Sequence, residues 1–224
     1  MLIICLLIML FPLHPVKPAY GQTLLVPSEY ETIQEAVDYA TAGAVVQVTA
    51  GIYYEHVSVN KSLALIGEDP QTTVVDGTSN GAVFDLDEAS NVYITGFTIR
   101  NAGNTHNAIT SSKAIATNDY HEIVNNIITT SQHGVFLSYS RSNTIFNNTF
   151  VNNVFSGIYL NRADDTNISA NVIVDSAYGV QSTSTANADI IGNTISQTSY
   201  AIHLTSSSTG ATVRDNLISG KTVG

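Results

Sequence analysis

Four residues suited to contact with a sugar recur at a nearly constant interval in the second half of the chain. They are Phe136, Tyr159, Gln181 and His203. Aromatic rings pack against the axial C–H groups of a sugar, while amide and imidazole groups hydrogen-bond its hydroxyls. If successive intervals stack as neighbouring strands about 4.8 Å apart, these side chains form one ridge. The alternative is that the stacked rings only stabilise the sheet, and the spacing leaves both readings open.

The histidines are the other candidates for chemistry, as metal ligands. Four of them lie in the later part of the chain: His106, His121, His133 and His203. No soft ligand accompanies them, because the single cysteine, Cys5, and both methionines lie in the apolar run at the start of the sequence. We therefore expect these histidines, and His56 nearer the start, to be solvated turn or surface residues. We predict no metal site and no cofactor.

Composition and charge exclude several partners. Of 224 residues, 12% are charged and 44% are hydrophobic, which is typical of a folded chain rather than a disordered one. Eight Lys and Arg against 18 Asp and Glu give a net charge of -10, which repels nucleic acids and anionic lipid surfaces. Polyuronates are repelled as well, unless a bound cation or a local basic patch reverses the field. We predict no nucleic-acid partner.

Residues 1–21 predict an export signal. The apolar run Met1–Leu13 is too short to span a bilayer, and Ala19-Tyr20-Gly21 supplies small residues for cleavage before Gln22. The alternative is a buried N-terminal strand, although the run lacks the alternation of a strand. Export predicts a secreted, cell-surface or periplasmic protein that spans no membrane after cleavage. Three sequons are candidate glycosylation sites: Asn60, Asn147 and Asn167.

A repeat with a period of about 22 residues organises the chain from Ile123 onward. Its first unit begins Ile123-Val-Asn-Asn126-Ile-Ile128, and the equivalent asparagines are Asn126, Asn148, Asn171, Asn193 and Asn216. A small residue follows each of the first four at a nearly fixed distance: Gly134, Gly157, Gly179 and Ala201. The units contain short β-branched runs and turns but no helical spacing. Such units bury an apolar face only by stacking, which predicts an all-β solenoid of parallel strands, and the family resemblance given below implies a right-handed parallel β-helix.

Three apolar columns define the predicted core. The first is Ile123, Ile145, Ile168, Ile190 and Val213; the second is Ile128, Phe150, Ile173, Ile195 and Ile218; the third is Val135, Ile158, Val180 and Ile202. The asparagine column lies between the first two, where the chain must turn sharply. Asparagine tolerates a left-handed backbone and its amide can bond from coil to coil, so we interpret this column as a structural ladder.

The two ends of the repeat region differ. Residues 22–50 predict a cap, in which Thr32 and Glu35 form a capping box, Gly43 is placed to end an amphipathic helix of about ten residues, and a first strand follows. Such a helix shields the open end of the core. Repeats are predicted over residues 51–224 and stop where the next strand is due. We therefore expect an incomplete C-terminal end, with end-to-end association or a further downstream domain.

The early coils carry longer turns. Leu65 and Ile94 extend the first column toward the N-terminus, at wider steps than those of the later coils. Between Arg100 and Tyr120, either Ala108-Ile109 or Ala114-Ile115 supplies the next strand. Inserted turns are where solenoids diversify, so we expect a ligand wall here.

The N-terminal segments identify a family resemblance. Thr32-Ile-Gln-Glu-Ala-Val37, Val45-Val-Gln-Val-Thr-Ala-Gly51-Ile-Tyr53 and Val74-Val-Asp-Gly77 resemble the opening of pectin-methylesterase-like and NosD-like proteins. The asparagine-rich coils after Ile123 resemble NosD and the carbohydrate-binding and sugar-hydrolase repeats. The resemblance covers residues 30–224 and implies the pectin lyase-like β-helix fold, whose members include lyases, hydrolases, esterases, epimerases and non-catalytic surface proteins.

The catalytic residues that the resemblance implies are mostly missing. The esterase pattern has two glutamines and two aspartates, and of these only Gln132 is matched. Lys113 stands where an oxyanion-binding glutamine is expected, and Ser156 stands where the nucleophilic aspartate is expected. Asp164-Asp165 and His133-Gly134 resemble pieces of a polygalacturonase site but in the reversed order. The calcium cluster of pectate lyases is represented only by scattered aspartates: Asp119, Asp175, Asp189 and Asp215. This favours a protein without catalytic activity.

Three functions follow as hypotheses. The first is an exported carbohydrate-binding scaffold, with a polysaccharide or a cell-surface glycan as partner and Phe136, Tyr159, Gln181, His203, Lys113 and Gln132 as ligand-binding residues. The second is a polysaccharide-active enzyme whose site uses the turns between Arg100 and His121. The third, implied by the resemblance to NosD, is an accessory protein for the maturation of a copper enzyme.

Overall fold

A computed structural model describes residues 21–205 and 207–220. The predicted signal peptide therefore lies outside the described residues, apart from Gly21. The elements in chain order are β1 (Thr23–Val26), α1 (Ile33–Tyr39), β2 (Ala44–Val48), β3 (Gly51–Tyr53), β4 (Val57–Ser58), β5 (Leu63–Gly67), β6 (Thr73–Asp76), β7 (Phe84–Asp85), β8 (Val92–Thr95), β9 (Thr98–Gly103), β10 (Ile109–Asn118), β11 (Glu122–Val124), β12 (Ile127–Ser131), β13 (His133–Arg141), β14 (Thr144–Phe146), β15 (Thr149–Val151), β16 (Ser156–Asn161), β17 (Asn167–Ser169), β18 (Val172–Val174), β19 (Tyr178–Thr183), β20 (Asp189–Ile191), β21 (Thr194–Ser196), β22 (Tyr200–Thr205), β23 (Thr212–Arg214) and β24 (Leu217–Ser219).

Three parallel sheets wind around one core. Sheet A has nine strands in the order β1-β2-β5-β8-β11-β14-β17-β20-β23, sheet B has eight in the order β24-β21-β18-β15-β12-β9-β6-β3, and sheet C has seven in the order β22-β19-β16-β13-β10-β7-β4. Each full winding visits sheets A, B and C in turn. Because a strand, its crossover and the next parallel strand connect in the right-handed sense, the molecule is a right-handed parallel β-helix, as the repeat predicts.

The apolar columns pair in the predicted register. In sheet A, Ile123 pairs with Ile145, and the same column runs on through the later coils and back to Leu65. Sheet B aligns Ile128 with Phe150, and sheet C aligns Val135 with Ile158. The columns are buried except in the last coil, where Val213 and Ile218 are 45% and 52% exposed. The core therefore extends from the helix to the C-terminal coil without interruption.

The turn between sheets A and B carries a ladder of buried asparagines. Asn126, Asn148, Asn171 and Asn193 are at most 2% exposed. Each uses its Oδ1 or Nδ2 to bond the neighbouring coil, as in the 2.9 Å bond from the N–H of Asn148 to Oδ1 of Asn171. The left-handed backbone falls on the preceding position, however: Asn125, Asn147, Ala170, Gly192 and Asp215 have φ between 55° and 66°. The ladder position requires asparagine for its amide. It does not require tolerance of a left-handed backbone, because the left-handed residue is the one before it.

The helical cap is shorter than the sequence pattern predicts. The side chain of Thr32 accepts the N–H of Glu35 at 3.0 Å, as expected of a capping box, but α1 ends at Tyr39 with Ala40 as its C-cap, before Gly43. The carboxylate of Glu55 accepts the N–H groups of Ile33 and Gln34 at 3.0 and 2.9 Å, which complements the positive end of the helix. Sheet A begins before the helix, in β1, so the helix and the first strands together close the core.

The insertion in the coil after Arg100 is a bulge in β10, which lies between β13 and β7 in sheet C. Ile109 is the residue that joins the third column, pairing with Val135, whereas Ile115 is 72% exposed. The register slips between Ser112 and Thr117, so the intervening residues do not pair with β13.

In the part of the chain that the structure describes, no helix is long and apolar enough to cross a membrane.

Candidate functional site

The outer surface of sheet C brings the four predicted sugar-contact residues together. Phe136, Tyr159, Gln181 and His203 are direct partners on β13, β16, β19 and β22. The ring centroids of Phe136 and Tyr159 lie 5.3 Å apart. All four side chains are half-buried. Neighbouring strands therefore hold them as one continuous column, which continues toward the N-terminus as Thr110 and Asp85.

A second outward column lies beside it, and sequence reasoning missed it. His133, Ser156, Tyr178 and Tyr200 are strand partners, and Phe155 projects next to them. The rings of Tyr178 and Tyr200 are stacked at 5.1 Å with an interplanar angle of 12°. The only signal in the sequence is an aromatic residue shortly after each of the turns that enter sheet C.

The two columns make contact with each other. The ring of His133 lies 5.1 Å from that of Tyr159, and Tyr178 lies 5.2 Å from His203. Between the two groups of rings, the hydroxyl of Ser156 donates to Oε1 of Gln181 at 3.1 Å. We call this surface the aromatic face; its rings are His133, Phe136, Phe155, Tyr159, Tyr178, Tyr200 and His203, and its polar members are Ser156 and Gln181.

A column of small residues underlies the aromatic face. A Cβ on Gly134 would lie 2.6 Å from both the carbonyl oxygen of Gly157 and Cδ1 of Phe150, and a Cβ on Gly157 would lie 2.6 Å from Cγ2 of Ile173. The backbone of sheet C therefore presses directly onto the second apolar column, which only glycine permits. This close contact fixes the distance between the second apolar column and the strands that carry the rings.

The aromatic face contains no carboxylate, ammonium or guanidinium group among the residues that define it. Burial lowers the pKa of His133 to about 4, so its imidazole is neutral at pH 7. The Nδ1 atom of His133 is buried and has no hydrogen-bond partner, and the same holds for Nδ1 of His203. The face therefore presents mainly apolar rings, with a small number of hydrogen-bonding groups.

Lys113 and Gln132, the other predicted ligand-binding residues, are engaged with the main chain. The ammonium of Lys113 donates to the carbonyls of Leu86, Asp87 and Ala89 at 2.9, 2.5 and 2.8 Å, which uses all three of its N–H bonds. Lys113 thus anchors the bulge of β10. The backbone of Gln132 joins neighbouring coils at the edge of sheet C, where its carbonyl accepts the N–H of Phe155 at 2.8 Å.

The expectation that the histidines are solvated is wrong for His121. This residue is fully buried, and its Nδ1 accepts the N–H of Val92 at 3.3 Å while Nε2 lies 3.4 Å from the hydroxyl of Ser111. Burial lowers the pKa of His121 to about 4, against an opposing effect of Asp119. The backbone N–H of His121 donates to Oδ1 of Asn143 at 2.9 Å. His121 therefore bonds the coils on either side of it, to Val92 and to Asn143, from within the core.

The paired aspartates are also structural. Asp164 forms a 2.9 Å ion pair with Arg141 and accepts the N–H of Ala186 at 2.8 Å. Asp165 accepts Nδ2 of Asn187 at 3.1 Å in a left-handed turn. Both carboxylates lie in the turn between sheets C and A, bonded within the chain, which is unlike the two opposed carboxylates of a glycosidase.

A polar groove of about 440 Å³ borders the aromatic face on the turns that lead from sheet B into sheet C. It crosses three coils and is lined by Asn152, Asn153, Val154, Asp175, Ser176, Ala177 and Ser199. Val154, Ala177 and Ser199 immediately precede the aromatic residues Phe155, Tyr178 and Tyr200. The groove and the aromatic face are therefore adjacent along the turns that enter sheet C.

Comparison with known proteins gives a family and a fold. The family described as "Periplasmic copper-binding protein (NosD)" matches residues 34–223. The pectin methyl esterase of rice weevil superimposes with a TM-score of 0.50 at 13% identity, over 92% of this chain and 90% of its own. The pectin methylesterase from carrot gives 0.45 at 14% identity, over 94% and 91%, and the enzymatically active domain of a bacteriophage CBA120 tailspike gives 0.46 at 13%, over 84% and 40%. The comparison with curated proteins gave no match. The resemblance identified from sequence is confirmed.

Proposed function

Because the chain belongs to the NosD family, which is described as periplasmic, we propose that it is a non-catalytic β-helix scaffold that binds a carbohydrate chain along the aromatic face. The observation that carries the proposal is the close packing of seven rings on and beside four successive strands of sheet C.

The geometry suits an extended sugar polymer. Neighbouring strands are about 4.8 Å apart, a step similar to the length of one pyranose unit. The rings offer apolar faces at this step, while half-buried Gln181 supplies an amide between them, held in place by the hydroxyl of Ser156. Since the rings pack on one another at 5.1 to 5.9 Å, little side-chain freedom remains to be lost on binding.

The contacts of the catalytic candidates support a binding role. Ser156 is buried and bonded to an amide rather than to a base, so it lacks the partner that activates a hydroxyl. Asp164 and Asp165 are held in their turn by main-chain and side-chain bonds. The resemblance to pectin methylesterases is a likeness of fold, and the activity of those enzymes does not transfer with it.

Binding to immobilised glycans tests the proposal. We expect Tyr159→Ala to weaken binding at least ten-fold, because it removes the ring in contact with both Phe136 and His133. Tyr54→Ala removes a 66% exposed tyrosine in the turn before β4, at the opposite end of sheet C from β22; it serves as the control and should bind as the unaltered chain does. Equal binding by the two variants, or absence of binding by the unaltered chain, would contradict the proposal. Release of reducing ends, unsaturated uronides or methanol from a polysaccharide would support the enzymatic alternative instead.

The description of the family favours copper handling as a second function. The described donors do not fit a copper centre: within residues 21–205 and 207–220, no three side chains of His, Cys, Asp or Glu lie together. His121 has both ring nitrogens engaged, and Nδ1 of His56 bonds the carbonyl of Ala82 at 2.7 Å. A role in copper-enzyme maturation would then depend on surface recognition. Stoichiometric uptake of copper by the mature chain in a titration would instead support direct metal binding.

A further inference from the structure

The polar groove beside the aromatic face contains a hydrogen-bond acceptor, a hydroxyl donor and an exposed apolar side chain. We propose that this groove holds the acetamido groups of a chain of N-acetylhexosamine units whose rings stack on the aromatic face. This inference rests on the carbohydrate-binding function proposed above, and it names the class of carbohydrate.

The groove lies where the substituents of a bound sugar would meet it. Phe155, Tyr178 and Tyr200 belong to the aromatic face, and the residue before each of them lines the groove. Tyr200 and Phe155 are 54% and 48% exposed, so the rims of these rings remain accessible. A sugar stacked on the rings would place its equatorial substituents at the edge of the rings, beside the groove.

Two polar groups that line the groove bond no described atom of the protein. The Nδ2 of Asn153 donates to the carbonyl of Ile128 at 3.1 Å, which fixes the orientation of the amide and leaves Oδ1 as an acceptor without a donor. The hydroxyl of Ser176 is also without a partner. Asn153 and Ser176 are only 1% and 8% exposed. They occupy the same place in successive coils, two residues before Phe155 and Tyr178. A ligand that bonds both groups removes the cost of leaving them unpaired.

An acetamido group complements these residues. Its N–H can donate to Oδ1 of Asn153 and its carbonyl can accept the hydroxyl of Ser176, directly or through one water molecule. Its methyl group can pack on the side chain of Val154, which is 46% exposed. A sugar hydroxyl has no apolar part to offer Val154. It is also close in size to a water molecule, which occupies about 30 Å³, whereas the groove measures about 440 Å³.

Calorimetric titration of the full chain with chitohexaose and cellohexaose tests the inference. Both oligomers are uncharged and share one backbone, and they differ only in an acetamido group or a hydroxyl on each ring. We expect chitohexaose to bind at least ten-fold more tightly. Ser176→Ala and Val154→Ser should each reduce this ratio at least three-fold and leave the affinity for cellohexaose unchanged.

The fold should survive both substitutions. The hydroxyl of Ser176 bonds no described atom, so Ser176→Ala should leave the melting temperature unchanged or raise it, and Val154 is too exposed to contribute much to the core. Ser140→Ala is the matched control. Ser140 is also a buried serine, but it lies where the chain leaves sheet C, and its hydroxyl accepts Nδ2 of Asn143 at 3.1 Å. This variant should keep the ratio of the two affinities.

The outcomes separate the two proposals. Both are supported if Tyr159→Ala weakens the binding of both oligomers while Ser176→Ala weakens only that of chitohexaose. If the unaltered chain binds the two oligomers equally, or if Ser176→Ala and Ser140→Ala give the same ratio of affinities, the role of the groove is overturned and the binding function stands. If neither oligomer binds, the inference is overturned, and the measurement on immobilised glycans alone decides the binding function.

Discussion

Nδ2 of Asn148 donates to Oδ1 of Asn171 at 3.1 Å, across the step from one coil to the next. The same Oδ1 accepts the N–H of Asn148, while Nδ2 of Asn171 donates to the carbonyl of Ile145 in that coil at 2.9 Å and to Oδ1 of Asn193 in the following coil at 3.0 Å. One buried amide therefore serves three coils.

Replacing this amide should destabilise the whole solenoid. Asn171→Ala leaves several buried N–H and C=O groups without partners, and each such group costs about 1–3 kcal/mol, so we expect a loss of roughly 3 kcal/mol in the free energy of unfolding. Urea denaturation followed by circular dichroism measures the change. Asn216→Ala, at the partly exposed end of the ladder, should cost less, and exposed Asn104→Ala should cost almost nothing. Equal free energies of unfolding for the three variants would show that the ladder does not stabilise the fold.

The glycine column of sheet C should tolerate no side chain. In Gly157→Ala the added methyl meets Cγ2 of Ile173 at 2.6 Å and the carbonyl oxygen of Gly179 at 3.0 Å. We expect the free energy of unfolding to fall by roughly 1–3 kcal/mol through overpacking. Gly220→Ala, where no atom lies within 4 Å of the added carbon, is the control for urea denaturation. Equal midpoints for the two variants would contradict the close approach of the sheet to the core.

Buried histidines should make the protein sensitive to acid. His121 has a folded pKa of about 4 against an ordinary value of 6.5, because burial disfavours its charged form. The unfolded state then binds more protons between these values, so stability is complete above pH 6.5 and is lost as the pH falls toward 4. His121→Asn, which copies Asn143 of the next coil, should reduce this dependence and leave the part due to His133, whereas exposed His106→Asn should not change it. Thermal melts at pH 4.5 to 7.5 measure the change in stability with pH. If the two variants show the same change, the assignment of this effect to His121 is refuted.

Lys113 should hold the bulge of β10 in place. Its ammonium binds three carbonyls of the preceding coil, and a hydrogen bond to a charged group contributes about 1.5–3 kcal/mol. We expect Lys113→Met to speed hydrogen exchange of residues 112–117 roughly ten-fold or more. Ile115→Ala, in the same bulge but 72% exposed, should leave the exchange rate unchanged. Equal rates in both variants would mean that the bulge is held by other contacts.

The later coils were predictable from sequence because stacking forces one period on every column. Ile123, Ile145 and Ile168 recur at an almost constant step since each must cover its neighbour, and their register is the predicted one. In the early coils the turns vary in length, so only the structure distinguishes Ile109 from Ile115 as the core residue. The helix also ends before Gly43, because Ala40 turns to an extended conformation first.

The candidate site was half visible in the sequence. The column of Phe136 and Tyr159 follows the period of the core, whereas Phe155 sits in a coil with one extra residue, which hides its relation to Tyr178 and His133. The burial of His121 was missed for a different reason: the equivalent positions of the later coils hold Asn143, Thr166 and Ala188, which share no chemistry, and a lone histidine among polar residues is typical of a solvated turn.

Each coil of this fold presents the same groups to the next coil: the amide of its ladder asparagine and the unpaired edges of its strands. Duplicating or deleting one entire unit of the repeat would recreate the same chemical junction on both sides. The length of sheet C, and with it the proposed binding surface, should thus change by whole turns without redesign of the interior.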